Sequence, residues 1–241
     1  MKNYLLIIPA RLKSKRLPGK PLINIKGIPM IVRTFNQCNK VVSRPNILVA
    51  TDSRKIQDIC KIHKIKCLLT SKKCLTGTDR IAEVAKKIKK DFYINVQGDE
   101  PIINPHDIRK IINHAKKFPN KIINGYTKIT NKELFFSPHI PKVLFRKNGS
   151  LIYQSRAPIP YNKDKKFIKA WRQICIYSFP YKSLKIFSKF KDKSEIEKIE
   201  DIELIRFLEL GIDIKMVELS NKSIAVDTYK DLLKVRKLIK N

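Results

Sequence analysis

The sequence predicts an α/β fold on a mainly parallel, doubly wound sheet. Two observations carry that expectation. Short apolar runs alternate with helical patterns through the first half of the chain, and a β-α-β-α order is the signature of parallel strands with helical crossovers. The chain has 241 residues, is 43% hydrophobic, and contains no repeat, low-complexity tract or Gly/Ser linker. That is the size and content of one domain with a substantial core.

Each element has a local reason. Residues 4–8 are continuously apolar and too few for a helix, which suits a strand buried on both faces. Pro29 stands where a helix can start, and the pattern beginning Met30-Ile31-Val32 extends to about Cys38. Residues 46–50 form the second strand. Ser53 is then expected to cap a helix whose apolar positions Ile56, Ile59 and Cys60 follow three- and four-residue spacing. Residues 67–69 and 92–96 are the third and fourth strands, with helices over 78–88 and about 105–114. From about Lys128 the character changes. Residues 138–180 carry five prolines and β-like runs at 142–145, 151–153 and 174–179, which reads as a small β-rich insertion suited to subunit contact. A helix over 194–209, a strand over 213–217 and a last helix from about Tyr229 complete the chain, the last with Thr228 and Asp231 as a capping pair.

Composition narrows the class. Fifty-two Lys and Arg against 21 Asp and Glu give a formal charge of +31. The lysines are dispersed, aromatic interleaving is sparse, and Lys, Ile and Asn are enriched together, as A/T-rich codons would do. A basic nucleic-acid-binding protein is therefore the alternative rather than the main reading, although a positive field does favour small anionic substrates. The five cysteines have no paired spacing, so neither a zinc motif nor a disulfide framework is expected, and Cys38 and Cys60 read as small buried hydrophobes. No apolar run approaches a membrane span. The basic-then-apolar start, Met1 to Ile8, runs at once into Pro9-Ala10-Arg11 and reads as a strand rather than a signal peptide. The expected location is the cytoplasm, with no membrane partner.

Ligands of an open parallel sheet bind beyond the carboxyl ends of its strands. After the first strand come Arg11 and a loop with Lys13, Ser14, Lys15, Arg16, Gly19 and Lys20. After the second come Thr51 and Asp52, after the fourth Gln97-Gly98-Asp99-Glu100, and before the last helix Asp227. All four groups are expected on one rim. Arg11 and Lys20 can neutralise phosphate oxygens around the Pro18-Gly19 bend, yet the loop also fits a lysine-rich surface turn. It is neither a Walker A loop nor a G-x-G-x-x-G fingerprint. Asp99 and Asp227 suit Mg²⁺, which takes a few carboxylates plus phosphate oxygens and water; each also suits a cap. Residues 76–80 are a helix cap, or donors and acceptors against a base or ribose. The four histidines lack metal-ligand spacing, and no Ser/His/Asp or Cys/His constellation supports covalent catalysis.

The segments Pro9-Ala10-Arg11 and Ser14-Lys15-Arg16-Leu17-Pro18-Gly19-Lys20-Pro21-Leu22 resemble the opening motif of the 3-deoxy-manno-octulosonate (Kdo) cytidylyltransferases, the CMP-Kdo synthetases. The match continues through Val49-Ala50-Thr51-Asp52, Gly77-Thr78-Asp79-Arg80, Asn95-Val96-Gln97-Gly98-Asp99-Glu100-Pro101, Ser155-Arg156-Ala157-Pro158-Ile159-Pro160 and Val226-Asp227-Thr228. It is essentially full length. The resemblance implies a Rossmann-like nucleotidyltransferase fold, a homodimer, and CMP transfer from CTP to a 2-keto-3-deoxy sugar acid for lipopolysaccharide biosynthesis. It assigns Ala10, Arg11, Lys20, Thr78, Arg80 and Gln97 to CTP and Asp99 and Asp227 to Mg²⁺, with Arg11, Lys20 and Asp99 serving the transfer. Arg156, Gln173, Tyr177 and Glu203 fall on the sugar side. Two positions depart from the pattern: Gln173 stands where the family usually has His, and Leu204 where it has Gln. Both lie in the sugar half, so 8-amino-Kdo or a sialic-type keto-acid is the alternative substrate.

Overall fold

The computed structural model describes residues 3–14 and 16–239; Lys15 of the cationic loop, Met1 and Lys2 of the N-terminal run, Lys240 and Asn241 fall outside them. The elements run β1 (Tyr4–Ala10), β2 (Asn24–Ile25), β3 (Ile28–Pro29), α1 (Met30–Asn39), β4 (Ile47–Thr51), α2 (Arg54–Ile62), β5 (Cys67–Leu69), α3 (Gly77–Lys87), β6 (Phe92–Val96) and α4 (Pro105–Lys117). The second half contains β7 (Ile122–Lys128), α5 (Lys132–Phe136), β8 (Lys142–Phe145), β9 (Leu151–Ser155), β10 (Trp171–Pro180), α6 (Tyr181–Phe187), α7 (Glu195–Glu200), α8 (Leu204–Glu209), β11 (Ile214–Glu218) and α9 (Tyr229–Leu238).

The main sheet has the order β11-β7-β10-β6-β1-β4-β5, with β8 and β9 branching from β10. The pairs β1/β4, β1/β6, β4/β5 and β7/β11 are parallel, whereas β10 runs antiparallel between β6 and β7. Successive residues of β1 face opposite sides. Leu6, Ile8 and Ala10 enter a core with Ile31, Phe35 and Ile111, while Leu5 and Ile7 enter a second core with Ile81, Phe179 and Phe207. Burial on both faces is why these strands read as unbroken apolar runs rather than alternating ones. Cys38 and Cys60 are fully buried in the first core, and all five cysteines are free thiols. No helix among the described residues is long and apolar enough to cross a membrane.

Besides the short elements β2, β3, α5 and α6, which the sequence pattern does not mark, four features differ from the sequence expectations. Ser53 sits at the N-cap of α2 but makes no side-chain cap; its own N–H donates to Thr51 Oγ1 at 3.2 Å. Strand β7 was not anticipated, because Asn124 and Gly125 weaken a strand pattern. Here both are required. A Cβ on Gly125 would lie 2.2 Å from Leu219 Cδ1, and the buried Asn124 amide donates to the carbonyls of Ile174 (3.0 Å) and Ile176 (3.1 Å) where β10 slips register. The segment 138–180 is not set apart along its whole length, since its last ten residues are the central strand β10. The helix expected over 194–209 is two helices, α7 and α8, divided at Asp201, whose φ is +49°. In one continuous helix Glu197 and Arg206 would stand about 13 Å apart along the axis and on opposite faces. The break lets Arg206 turn back onto Glu197, with Nε to Oε2 at 2.5 Å and the second terminal nitrogen to Oε1 at 2.9 Å, both side chains fully buried.

Candidate active site

Strand order reverses at β1, which has β4 and β5 on one side and β6 on the other. The crevice beyond the carboxyl ends of β1 and β6 is therefore the expected ligand position. Lys20 lies there. Gly19, with φ of +66°, turns the chain into a single 3₁₀ turn, Lys20–Leu22. This places Lys20 Nζ 2.6 Å from Asp99 Oδ2, at the end of β6, and 3.0 Å from Asp227 Oδ1, just before α9. Arg16 reaches the same Asp227 oxygen at 3.1 Å. Burial works against the Lys20 charge, but the two carboxylates outweigh it and hold its pKa above the ordinary lysine value. Burial likewise opposes the Asp227 charge, and Lys20 and Arg16 overcome it, keeping that carboxyl below its usual range. The Asp99 carbonyl accepts the Val226 N–H at 2.9 Å, tying the β6 loop to the entry of α9. Capping of α9 falls to Thr228, which accepts from the Asp231 N–H while Asp231 accepts from Thr228.

Three of the four rim groups thus meet: the cationic loop, Asp99 and Asp227. The fourth does not join them. Asp52 accepts from an Arg80 terminal nitrogen at 3.1 Å, and Arg80, almost fully buried, also donates to the Thr70 hydroxyl. That pair fastens the end of β4 to α3.

The donor set fits a hard divalent cation. Asp99 and Asp227 already share one cationic centre, the Lys20 ammonium. Among the described residues no group of three or more His, Cys, Asp or Glu side chains forms a cage. An ion here would complete its shell with phosphate oxygens and water, as Mg²⁺ does.

The other nucleotide-side candidates sit close by. Ala10 ends β1 and is buried, so only its backbone can face a ligand. Arg11 follows it, is exposed, and makes no hydrogen bond or ion pair with the described residues. Gln97 is half-buried with its side-chain amide against Gly77, and that amide makes no hydrogen bond to the described residues. Thr78 is fully buried. Its N–H donates to Glu203 Oε2 at 2.9 Å, its hydroxyl donates to the same oxygen, and the Gly77 N–H donates to Oε1 at 3.1 Å. The expected cap of α3 is present as a reciprocal Thr76–Asp79 pair.

On the far side of the crevice the candidates are tied into the scaffold. Arg156 donates from Nε to the Glu200 carbonyl at 2.6 Å, and from its terminal nitrogens to the carbonyls of Pro138 and Asp201, each at 3.0 Å. Gln173 is buried and donates to Asn124 Oδ1 at 3.2 Å. Tyr177 is buried on β10, and burial, reinforced by Cys175 and Glu203, raises its pKa well above the ordinary tyrosine value. Burial raises Glu203 too, although the hydrogen bonds from Thr78 and Gly77 pull it back.

Several residues with structural consequences here had no role in the sequence reading. Glu100 is buried beside Asp99 with Oε2 unpartnered among the described residues, and burial, with Asp99 adding, pushes it up to about 8. Arg172 and, less, Lys20 counter that rise, and Cys175 is pushed up to about 12 mainly by burial, with Glu100 adding. Asn124 and Glu200 act across separations of 30 or more residues, with Glu200 holding the Ser155 hydroxyl and the Arg156 N–H. Glu100 was visible as a strand-end carboxylate; the long-range pairs left no local signal.

Comparison with known proteins identifies the family and the fold. Residues 5–214 match the sequence model of the cytidylyltransferase family. The 3-deoxy-manno-octulosonate cytidylyltransferase of Chloroherpeton thalassium is 40% identical over 240 residues, covering 97% of this chain and 96% of that protein. The enzyme of the same name from Francisella tularensis is 40% identical, covering 99% of each. A structure of CMP:2-keto-3-deoxy-manno-octonic acid synthetase complexed with CTP superposes with a TM-score of 0.90 at 33% identity, covering 98% of this chain and 97% of that one. With its nucleotidyltransferase fold and its strand-end motifs in place, the chain belongs to the 3-deoxy-manno-octulosonate cytidylyltransferase family.

Proposed function

We propose that this protein transfers CMP from CTP to the anomeric hydroxyl of Kdo, giving CMP-Kdo and pyrophosphate. The single observation that carries the reading is the Lys20 ammonium held between Asp99 and Asp227 at the mouth of the β1/β6 crevice. It is a site with both signs of charge, as a metal–triphosphate requires. In the reaction the sugar oxygen forms a bond to the α-phosphorus, the bond to the β-phosphate oxygen breaks, and the hydroxyl proton is released. Such a transfer is accelerated chiefly by positioning and by neutralising charge on the phosphoryl oxygens.

Asp99 and Asp227 would hold Mg²⁺, which supplies charge neutralisation at the triphosphate when bound. Lys20 and Arg11 would bind the phosphate oxygens as cations at the same rim. Gln97, beside Gly77, offers its amide to the cytidine, and Arg80 supports that wall from beneath through Asp52. Glu203, Tyr177, Gln173 and Arg156 bound the sugar side. The reading places the reaction in the cytoplasm, where CTP is made.

A second copy of the chain is the proposed partner of the β8–β9 side. Strand β9 pairs only with β8 among the described strands, and Ile152 on it is 53% exposed. Ile152→Asp is expected to shift light-scattering mass from dimer to monomer; a wild-type monomer would remove this interface. The function itself is tested by Mg²⁺-dependent pyrophosphate release from CTP across Kdo, 8-amino-Kdo and a sialic acid. Kdo is expected to turn over fastest. No turnover with any of them would overturn the reading, and a faster sugar would reassign the substrate.

A further inference from the structure

Thr78 opens α3, and every polar group it presents at that point is spent on Glu203. The side chain is fully buried, its hydroxyl and its N–H both donate to Glu203 Oε2, and the neighbouring Gly77 N–H donates to Oε1. A ligand cannot reach the Thr78 hydroxyl without displacing that carboxylate. Glu203 is half-buried as a residue, and of its four acceptor sites the α3 donors leave one, on Oε1. Its backbone is fixed independently, because Leu204, Ile205, Arg206 and Phe207 are all buried behind it. Arg206 is locked onto Glu197 and also approaches Asp79, the N3 residue of α3, at 3.6 Å. Two helices 125 residues apart in sequence are thereby clamped end to end, with one carboxylate at the joint.

We propose that Thr78 is a positioning residue for the sugar-side carboxylate Glu203, and not a contact to the nucleotide. Two backbone N–H groups and one hydroxyl at a helix N-terminus aim the carboxylate and favour its charged form. They counter part of the burial that raises its pKa. The remaining Oε1 site then accepts from a hydroxyl of the bound sugar acid. Thr78 joins the nucleotide wall to the sugar wall through this one residue. The proposal rests on the cytidylyltransferase reading for the identity of the two substrates, while the Thr78–Glu203 joint stands on its own geometry.

Thr78→Val keeps the shape and removes the hydroxyl. Hydrogen bonds to charged groups are strong enough that KM for the sugar acid is expected to rise about tenfold or more. KM for CTP should stay within about twofold, and the acidic limb of the pH profile for the sugar should move to higher pH. Thr78→Ser, which restores a hydroxyl, should recover both. Glu203→Gln, with the same shape and no charge, should reproduce the split if the valine variant does not fold. A rise in KM for CTP with the sugar KM unchanged would overturn the proposal, as would an unmoved pH profile. Wild-type failure on every keto-acid would instead sink the functional reading. In that case a carbon-13 carboxyl titration of Glu203 decides the joint: its midpoint should rise in Thr78→Val, and an unchanged midpoint overturns the positioning role.

Discussion

The two halves of the molecule use the same residue types in opposite ways. In the first half, Arg11, Lys20, Gln97 and Asp99 stand at the ends of parallel strands, part-exposed, at the mouth of a shared crevice. In the second, Arg206 and Glu197 are fully buried as a pair, and Lys142 is fully buried with Nζ donating to the Ser137 and Arg156 carbonyls. Burial opposes the Lys142 charge, nearby Arg156 adds to that, and the pKa falls to about 8. Apart from the Arg80–Asp52 pair, the first half holds its strand-end charges ready for a ligand; apart from Asp227 and the sugar-side candidates, the second spends its charges on its own shape. A parallel sheet explains the difference, because its strand ends gather polar groups on one rim. The second half has the short helices α5, α7 and α8 of five or six residues beside its long strand β10, and side-chain ties hold such short pieces in place.

The comparison can be broken at either end. The largest effect belongs to Asp99→Ala, expected to lower pyrophosphate release by about a thousandfold or more through lost charge placement at the triphosphate. Its melting temperature should stay near that of the wild type, and a near-normal rate would take Asp99 out of the metal site. Arg206→Met attacks the other half. It strands a buried Glu197 and should cost about 3–5 kcal/mol in denaturant unfolding. An unchanged midpoint would mean that the pair is not what holds α7 against α8.

Glu100 sits at the border between the halves and gives a pH test. Burial lifts its carboxyl from 4.5 to about 8. Between those values the unfolded chain has lost the proton and the folded chain keeps it, so stability falls as pH rises through that window. Above about 8 the cost is fully present. Glu100→Gln removes it. In thermal unfolding without metal the variant should match wild type near pH 4 and gain several degrees by pH 8, at roughly 2–4 °C per kcal/mol. A gain independent of pH would refute the burial account. The smallest effect is expected from Thr228→Ala, which removes the α9 cap beside Asp227 at a cost of about 1 kcal/mol. Thermal unfolding should register a drop of a few degrees, and no drop would show that α9 is held by its packing on Ile25 and Met30 alone.

The sequence by itself determined what is local. Apolar runs too short for helices became β1, β4, β5 and β6, and the pairs Thr76–Asp79 and Thr228–Asp231 became reciprocal caps. Strand-end motifs placed Lys20, Asp99 and Asp227 on one rim, because the topology of a parallel sheet follows from the order of its elements. The tertiary structure decided which distant groups meet. It put β10 in the middle of the sheet, kept Asp52 and Arg80 for each other, and bent 194–209 at Asp201 so that Arg206 reaches Glu197. It also joined Thr78 to Glu203. Periodicity and capping act over a few residues and are written in sequence order. The partner of a buried charge is chosen by packing across many tens of residues, where only the assembled core makes one pairing cheaper than another.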